Sequence, residues 1–300
     1  MESDIASTRP EQSRMTALFP IALLLLAMAC YMAGASVAKT LFEVISPAAV
    51  AALRIAFGTL ILCVALRPWR IHLTRDSWRP LAIYGVSLGA MNLLYYQALS
   101  RIPLGIATAI EFTGPLSVSI ASSRRPIDFF WTALAASGLI LLAPIGRLGT
   151  GLDPVGVLCA LGGGGCWALY IVFGQKAGTS HGPRTVAFGS LISALLIVPV
   201  GFISAGPALL SPSVLGPGLA IAILSTALPY PLEMTALTRL PARTFGILMS
   251  VEPAMAALFG FALLSQRLSM QQTAAIAMII LASIGTVATL RRRAPVPTMG

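Results

Sequence analysis

Charged residues are scarce in this chain of 300 residues. Asp, Glu, Lys and Arg make up 10% of it, whereas about a quarter is usual for a soluble domain, and hydrophobic residues make up 57%. This balance excludes a water-soluble globular protein and leaves lipid as the solvent for most of the chain. Alternation of apolar and polar residues over strand-length segments is also missing, so the sequence favours spanning helices over a membrane barrel.

Residues for metal binding and catalysis are equally few. The four cysteines lie inside apolar runs and form no CxxC pair, which is typical of small buried residues. The two histidines, His72 and His181, lie in loops, so no buried Ser-His or metal-ligand pair is available. The phosphate loop G-x-x-x-x-G-K-[ST] is absent. We therefore expect no cofactor, no metal and no enzymatic activity, and no use of ATP by this chain.

Apolar runs between polar or Pro/Gly breaks predict ten spanning helices. Their expected ranges are 16–38, 47–66, 80–98, 103–122, 127–145, 154–174, 184–203, 215–237, 242–264 and 269–290. Residues 1–15 are expected to be a disordered N-terminal segment, and 291–300 a basic tail. Of the 20 Lys and Arg residues, fifteen fall on the side of the termini and four on the other, with Arg54 inside a span. This bias places both termini in the cytoplasm.

A repeated hexapeptide divides the chain into two halves. Residues 98–103, ALSRIP, recur as ALTRLP at 236–241, and Pro115 recurs as Pro253 at the same offset. Each half, 16–145 and 154–290, then holds five spans, and an odd number of spans gives the halves opposite orientations. We predict an all-α membrane protein with ten transmembrane helices in two inverted five-helix repeats. That plan is typical of secondary transporters with a substrate site near the membrane midplane.

Two glutamates lie at the centres of predicted spans. Glu111 is in the fourth span and Glu252 in the ninth, where a charged side chain costs about 2.5–3.5 kcal/mol even on insertion scales. A proline follows each, Pro115 and Pro253, and frees backbone carbonyls one turn earlier. One interpretation is that the carboxylates receive a substrate ammonium or a proton. The other is that one of them pairs with Arg54 and only holds the second span in place.

Four residues have more than one interpretation each. Glu233 either lines the mouth of a cavity or extends to water. Arg54 either meets a substrate carboxylate, or extends to the membrane surface or pairs with Glu43. Trp167 and Tyr170 either cover the cavity or anchor their helix at the membrane interface.

The third span presents one polar stripe. Gly85, Gly89, Asn92 and Tyr96 follow each other at spacings of four and three residues, with Tyr95 beside them. We expect the stripe to face a cavity that holds a polar solute. The glycines also suit close helix packing, as do those at 162–165.

Segments throughout the ten spans resemble a known family. They are 84–92, 103–107, 111–116, 122–126, 165–168, 224–230, 232–234, 236–241, 243–246 and 249–253. On these segments the chain is similar to the drug/metabolite transporter superfamily with EamA-type repeats, and within it to bacterial exporters of threonine and homoserine. The resemblance implies export of small neutral amino acids across the inner membrane by proton antiport. Residues 264–268 depart from it, because Gln266 stands where the repeats commonly have Glu, which puts a carboxylate role there in doubt.

These observations together give one binding hypothesis. A zwitterionic amino acid would place its ammonium near Glu111 or Glu252 and its carboxylate near Arg54 or free backbone N–H groups, with a hydroxyl at Asn92 or Tyr96. One of the two carboxylates would exchange its proton for substrate. Two alternatives remain: export of a nucleoside, purine or organic cation on the same fold, and a non-transporting membrane scaffold or sensor. The expected partners are a small solute, a proton and the lipid bilayer, with no nucleic acid.

Overall fold

Helices make up nearly all of the chain that the computed structural model describes, which is residues 9–41, 44–71, 74–99, 101–102, 104–142, 153–252, 254–255 and 269–291. We number the helices α1 Arg9–Leu41, α2 Pro47–Leu66, α3 Trp78–Leu99, α4 Leu104–Glu111, α5 Thr113–Ser122, α6 Pro126–Leu142, α7 Pro154–His181, α8 Arg184–Ala205, α9 Pro212–Ala222, α10 Pro229–Arg239, α11 Ala242–Met249 and α12 Met270–Arg291. Short 3₁₀ turns lie at Pro68–Arg70 and Gly206–Leu210.

Over its described residues, each predicted span coincides with one helix or with two consecutive helices. Five described helical stretches are long and apolar enough to cross a membrane, namely Pro47–Leu66, Pro154–His181, Arg184–Ala205, Pro212–Arg239 and Met270–Thr289. The all-α class is confirmed. The helix α1 begins at Arg9 and so extends into the segment 1–15 that we predicted to be disordered, because residues 11–15 include the good helix formers Glu, Gln, Arg and Met.

Prolines divide two of the spans. The fourth span breaks at Phe112, between α4 and α5, since Pro115 has no N–H to offer the Glu111 carbonyl. The eighth span contains a π-turn, Ile223–Ala227, between α9 and α10, where the Leu228 N–H donates to the Ile223 carbonyl at 3.0 Å. The predicted break at Pro253 lies outside the described residues, as does the segment 264–268.

The two halves of the chain interleave. The helices α1, α2 and α3 of the first half pack against α7, α8, α9 and α10 of the second, while α5 packs on α11 and α6 on α12. The helix α7 joins the two groups because it also contacts α4 and α5. Large side chains, among them Tyr84, Phe112 and Phe245, are fully buried in the resulting core. Each half therefore finds its packing partners mainly in the other.

The glycines of the third span serve this packing. A Cβ added at Gly85 would lie 2.7 Å from the Cδ1 of Ile192, and one at Gly89 would lie 3.2 Å from the Cα of Ser193. Both neighbours are on α8. The packing interpretation therefore holds for the two glycines, which let α3 and α8 approach closely and do not line the cavity.

The start of α7 is fixed by the carboxylate of Asp153. Its Oδ1 accepts a hydrogen bond from the Val155 backbone N–H at 2.8 Å, and its Oδ2 accepts from Nη1 of Arg101 at 3.1 Å. The backbone N–H, with the arginine second, holds the pKa of Asp153 below its usual value. This helix cap thus ties α7 to the first copy of the repeated hexapeptide.

Candidate functional site

A cavity of about 170 Å³ lies where the two groups of helices meet. Its lining consists of Tyr31, Arg54, Leu88, Met91, Asn92, Tyr95, Tyr96, Glu111, Trp167, Tyr170, Tyr230, Glu233, Met249 and Glu252. These residues come from α1, α2, α3, α4, α7, α10 and α11, with Glu252 just beyond α11. The cavity therefore draws on both halves of the chain. All nine side chains that the sequence singled out for substrate binding or coupling line this one cavity.

The positive charge in the cavity comes from Arg54. Its Nη2 donates to the Oδ1 of Asn92 at 2.6 Å, and Asn92 in turn donates through Nδ2 to the Leu88 carbonyl at 2.8 Å. The Nε of Arg54 is buried and has no hydrogen-bond partner. No carboxylate of the described residues lies within 4.0 Å of this guanidinium, and Glu43 lies outside them. Arg54 therefore faces the cavity without a described carboxylate in direct contact, and the charge of Glu252 acts on it only from a longer distance.

Two tyrosines hold Glu233. The Tyr31 hydroxyl donates to Oε2 at 2.7 Å, and the Tyr170 hydroxyl donates to Oε1 at 3.0 Å. Glu233 is only 4% exposed, so its carboxylate does not extend to water. Both of its oxygens already have a donor, which fixes the side chain against the cavity wall.

The other two carboxylates have no such partners. Among the residues that the structure describes, Glu111 and Glu252 accept no hydrogen bond and form no ion pair. Glu111 is buried and lies against α7, where a Cβ added at Gly163 would be 3.1 Å from its Oε1. The glycine leaves room for the carboxylate. Two acidic groups that face one cavity without donors are available to a cation or a proton.

Aromatic rings form much of the remaining wall. The Trp167 ring packs edge-on against Phe112 with centroids 4.8 Å apart, and the Tyr95 hydroxyl lies 2.8 Å from Thr108 Oγ1. Trp167 is 8% exposed and Tyr170 2%. These positions place both residues inside the bundle at the cavity, and not at a membrane interface.

Sequence reasoning missed two tyrosines of the site, Tyr31 and Tyr230. Both had a signal. Tyr31 matches Trp167 in the internal repeat, since each follows a cysteine. Tyr230 precedes Glu233 by three residues, so that both side chains share one face of α10.

The family of the chain follows from its match over both halves. The model of the EamA-like transporter family matches residues 18–146 and 154–288. The chain belongs to the EamA-like transporter family. This confirms the predicted fold, two inverted repeats of five helices in a multi-pass membrane protein, and the predicted class, a transporter.

Individual relatives of this EamA-like transporter are similar over most of their length. The threonine/homoserine exporter RhtA of Escherichia coli K12 is 53% identical over 94% of this chain and 96% of its own. The protein of the same name from Salmonella typhimurium LT2 is also 53% identical, over 91% and 92%. YwfM of Bacillus subtilis, an uncharacterized transporter, is 28% identical over 80% and 83%. A crystal structure with 21% identity superposes with a TM-score of 0.75 over 92% of this chain and 99% of its own, which shows the shared fold.

Proposed function

We propose that this EamA-like transporter exports small neutral amino acids, threonine and homoserine among them, across the bacterial inner membrane in exchange for protons. The names of the two relatives that are 53% identical over more than nine-tenths of this chain support the substrate class. The charges in the cavity support it independently.

The observation that carries the proposal is the charge pattern of the cavity. Arg54 brings a guanidinium that no described carboxylate contacts within 4.0 Å, while Glu111 and Glu252 bring carboxylates that no described donor satisfies. Unpaired charges away from bulk water are costly, so a ligand that carries both signs stabilises all three groups. An amino acid at neutral pH has this form, whereas an organic cation leaves Arg54 without an anion.

The size of the cavity favours a small solute. Pockets for drug-sized ligands measure about 300–1,000 Å³, and this cavity measures about 170 Å³. A nucleoside or a bulky cation suits such a space poorly. Because both polar groups of the Asn92 side chain are already engaged, Tyr96 is the better donor or acceptor for a substrate hydroxyl.

The two unpartnered carboxylates support exchange for protons. Glu111 and Glu252 repel each other across the cavity, and either a substrate ammonium or a proton relieves that repulsion. When the ammonium leaves, a proton takes its place. Glu233 stays bound to its two tyrosines through this cycle, so we assign it a positioning role.

The interleaved helix groups support alternating access. The cavity lies between the group of α1, α2, α3, α7, α8, α9 and α10 and the group of α4, α5, α6, α11 and α12. A change in the angle between these groups opens the cavity to one side at a time.

The basic residues on the side of the termini support a cytoplasmic location for both ends. A phosphatase that is active only in the periplasm, fused to the C-terminus, tests this location. The fusion should remain inactive.

Uptake into inside-out vesicles tests the proposed transport. With an inward-acidic pH gradient, labelled threonine should accumulate in vesicles that contain the protein, and unlabelled homoserine should compete. Counterflow equal to that of empty vesicles would reject the substrate class. Competition by a nucleoside or an organic cation at the same concentration would instead favour the alternative substrates.

Charge-removing substitutions test the coupling step. Glu111→Gln or Glu252→Gln should abolish gradient-driven uptake, with Asp76→Asn, an exposed carboxylate outside the cavity, as the matched control. If one of these glutamates carries the proton, its Gln variant should still support threonine counterflow. Exchange of one threonine for another needs no net proton movement. If both variants keep gradient-driven uptake, neither glutamate carries the proton.

A further inference from the structure

A second and larger pocket lies at another place in the fold. It measures about 590 Å³ and shares no residue with the central cavity. Its lining consists of Arg70, Ile71, Thr74, Asp76, Ser77, Pro80, Lys176, Ser180, His181 and Arg184. These residues lie at the N-terminus of α3 and the turn before it, at the C-terminus of α7 and at the N-terminus of α8.

The pocket is positively charged. Arg70, Lys176 and Arg184 each bring a cation, against the single carboxylate of Asp76. No ion pair within 4.0 Å joins any of these four groups to another part of the chain that the structure describes. Cations gathered around an open pocket without carboxylate partners attract an anion.

One donor or acceptor in the pocket lacks a partner. The Nε2 of His181 is buried and makes no hydrogen bond to the part of the chain that the structure describes, although buried polar atoms are nearly always paired. The nearby hydroxyls are already engaged, because Thr74 bonds Ser77 and Ser180 donates to the Lys176 carbonyl. A ligand with oxygen atoms would complete the hydrogen bonding of His181.

Two tryptophans locate the pocket at headgroup depth. Trp69 is 68% exposed and Trp78 47% exposed, and each is next in sequence to a lining residue. Exposed tryptophans of membrane proteins are enriched at the boundary between hydrocarbon and water. The anion that reaches this pocket most readily is therefore carried by a lipid.

We propose that this pocket binds the phosphodiester headgroup of an anionic phospholipid. The cations contact the phosphate, while Ile71 and Pro80 offer apolar surface to the glycerol end of the lipid. Basic pockets between transmembrane helices recognise lipid phosphates in this way. A volume of about 590 Å³ suits a headgroup better than a bare phosphate ion.

Native mass spectrometry of the detergent-purified full chain tests the proposal. Dioctanoyl phosphatidylglycerol should bind, and dioctanoyl phosphatidylcholine or inorganic phosphate at the same concentration should bind at least tenfold more weakly. Each cation near a lipid surface is worth about fivefold in affinity, so Arg70→Gln with Arg184→Gln should weaken phosphatidylglycerol binding by about 25-fold. Lys176→Gln, a single exposed change, should weaken it about fivefold.

A charge-matched control pair shows whether the effect is specific to the pocket. Arg124→Gln with Arg125→Gln removes the same charge from exposed positions outside the pocket, and this pair should leave lipid binding unchanged. Equal weakening by the control pair would overturn the site, as would no weakening by any pocket variant. Inorganic phosphate that binds as tightly as phosphatidylglycerol would overturn the lipid as its ligand. Transport activity does not enter these readouts, so they are independent of the proposed function.

Discussion

Removing one partner of the ion pair between Asp128 and Arg243 tests how α6 and α11 are held together. Nη1 of Arg243 donates to Oδ2 of Asp128 at 2.7 Å, and the two side chains are 10% and 7% exposed. Asp128 lies in the first turn of α6 and also accepts from the Arg124 backbone N–H at 3.4 Å. The pair joins the first half of the chain to the second, away from the central cavity.

The two ways of removing charge should have very different costs. Arg243→Met removes one member of a buried ion pair, which costs about 3–5 kcal/mol. The α6 N-terminus still stabilises the Asp128 carboxylate by about 0.3–1 kcal/mol, so we expect the lower end, near 3 kcal/mol. Asp128→Leu combined with Arg243→Met leaves no unpaired charge. This double variant should be within about 1 kcal/mol of the parent protein, or more stable.

Thermal unfolding of the purified protein in detergent measures both outcomes. At about 2–4 °C per kcal/mol for a large domain, Arg243→Met should lower the Tm by about 6–12 °C. Arg125→Gln, an exposed arginine on the same side of the molecule, should shift it by no more than about 2 °C. A similar shift for Arg243→Met and Arg125→Gln would refute the reasoning. So would a double variant that is as unstable as Arg243→Met alone.

Three further predictions concern the site and its supports. Gly164→Ala places a Cβ 2.8 Å from the backbone oxygen of Glu111, at the α4–α5 break, and should lower both the Tm and the transport rate. Gly165 has open space around it, so Gly165→Ala should leave the stability unchanged or raise it by up to about 1 kcal/mol. Tyr170→Phe removes one of two donors to Glu233 and should cost about 1.5–3 kcal/mol in unfolding experiments, while a changed proton-to-substrate ratio would contradict a positioning role. The lowered pKa of Asp153 stabilises the fold above the unfolded-state pKa of about 3.9, and this contribution is lost as the pH falls through the folded-state value. Asp153→Asn should therefore be less stable than the parent at pH 7, and the difference should shrink as the pH falls below about 3.9. A difference that is constant with pH would contradict the cap.

The site was predictable where a residue was out of place in lipid. Glu111, Glu252 and Arg54 stood out because charge inside an apolar span requires a polar neighbour, and all three line the cavity. Tyr31 and Tyr230 did not stand out, since a tyrosine is common in such helices and only the fold shows what its hydroxyl reaches.

Packing detail was harder to obtain from the sequence. The spacing of Gly85, Gly89, Asn92 and Tyr96 correctly indicates a special face of α3, but periodicity does not tell which neighbour that face meets at each level. In the structure the face is divided, with α8 against the glycines and the cavity beside Asn92 and Tyr96. The partners of Glu233 were also beyond reach, because they come from α1 and α7, which are far apart in the chain.

The interleaving of the two halves has a consequence for biogenesis. Synthesis delivers α1 to α6 to the bilayer before α7 to α12 exist, yet α2, α3 and α6 make their main contacts with helices of the later half. The early helices therefore lie in the bilayer before their packing partners are made, and Arg54 and Glu111 are not yet enclosed by the later helices. Assembly is then completed by helices that insert between or beside those already in place. The binding cavity therefore does not exist before the late helices dock.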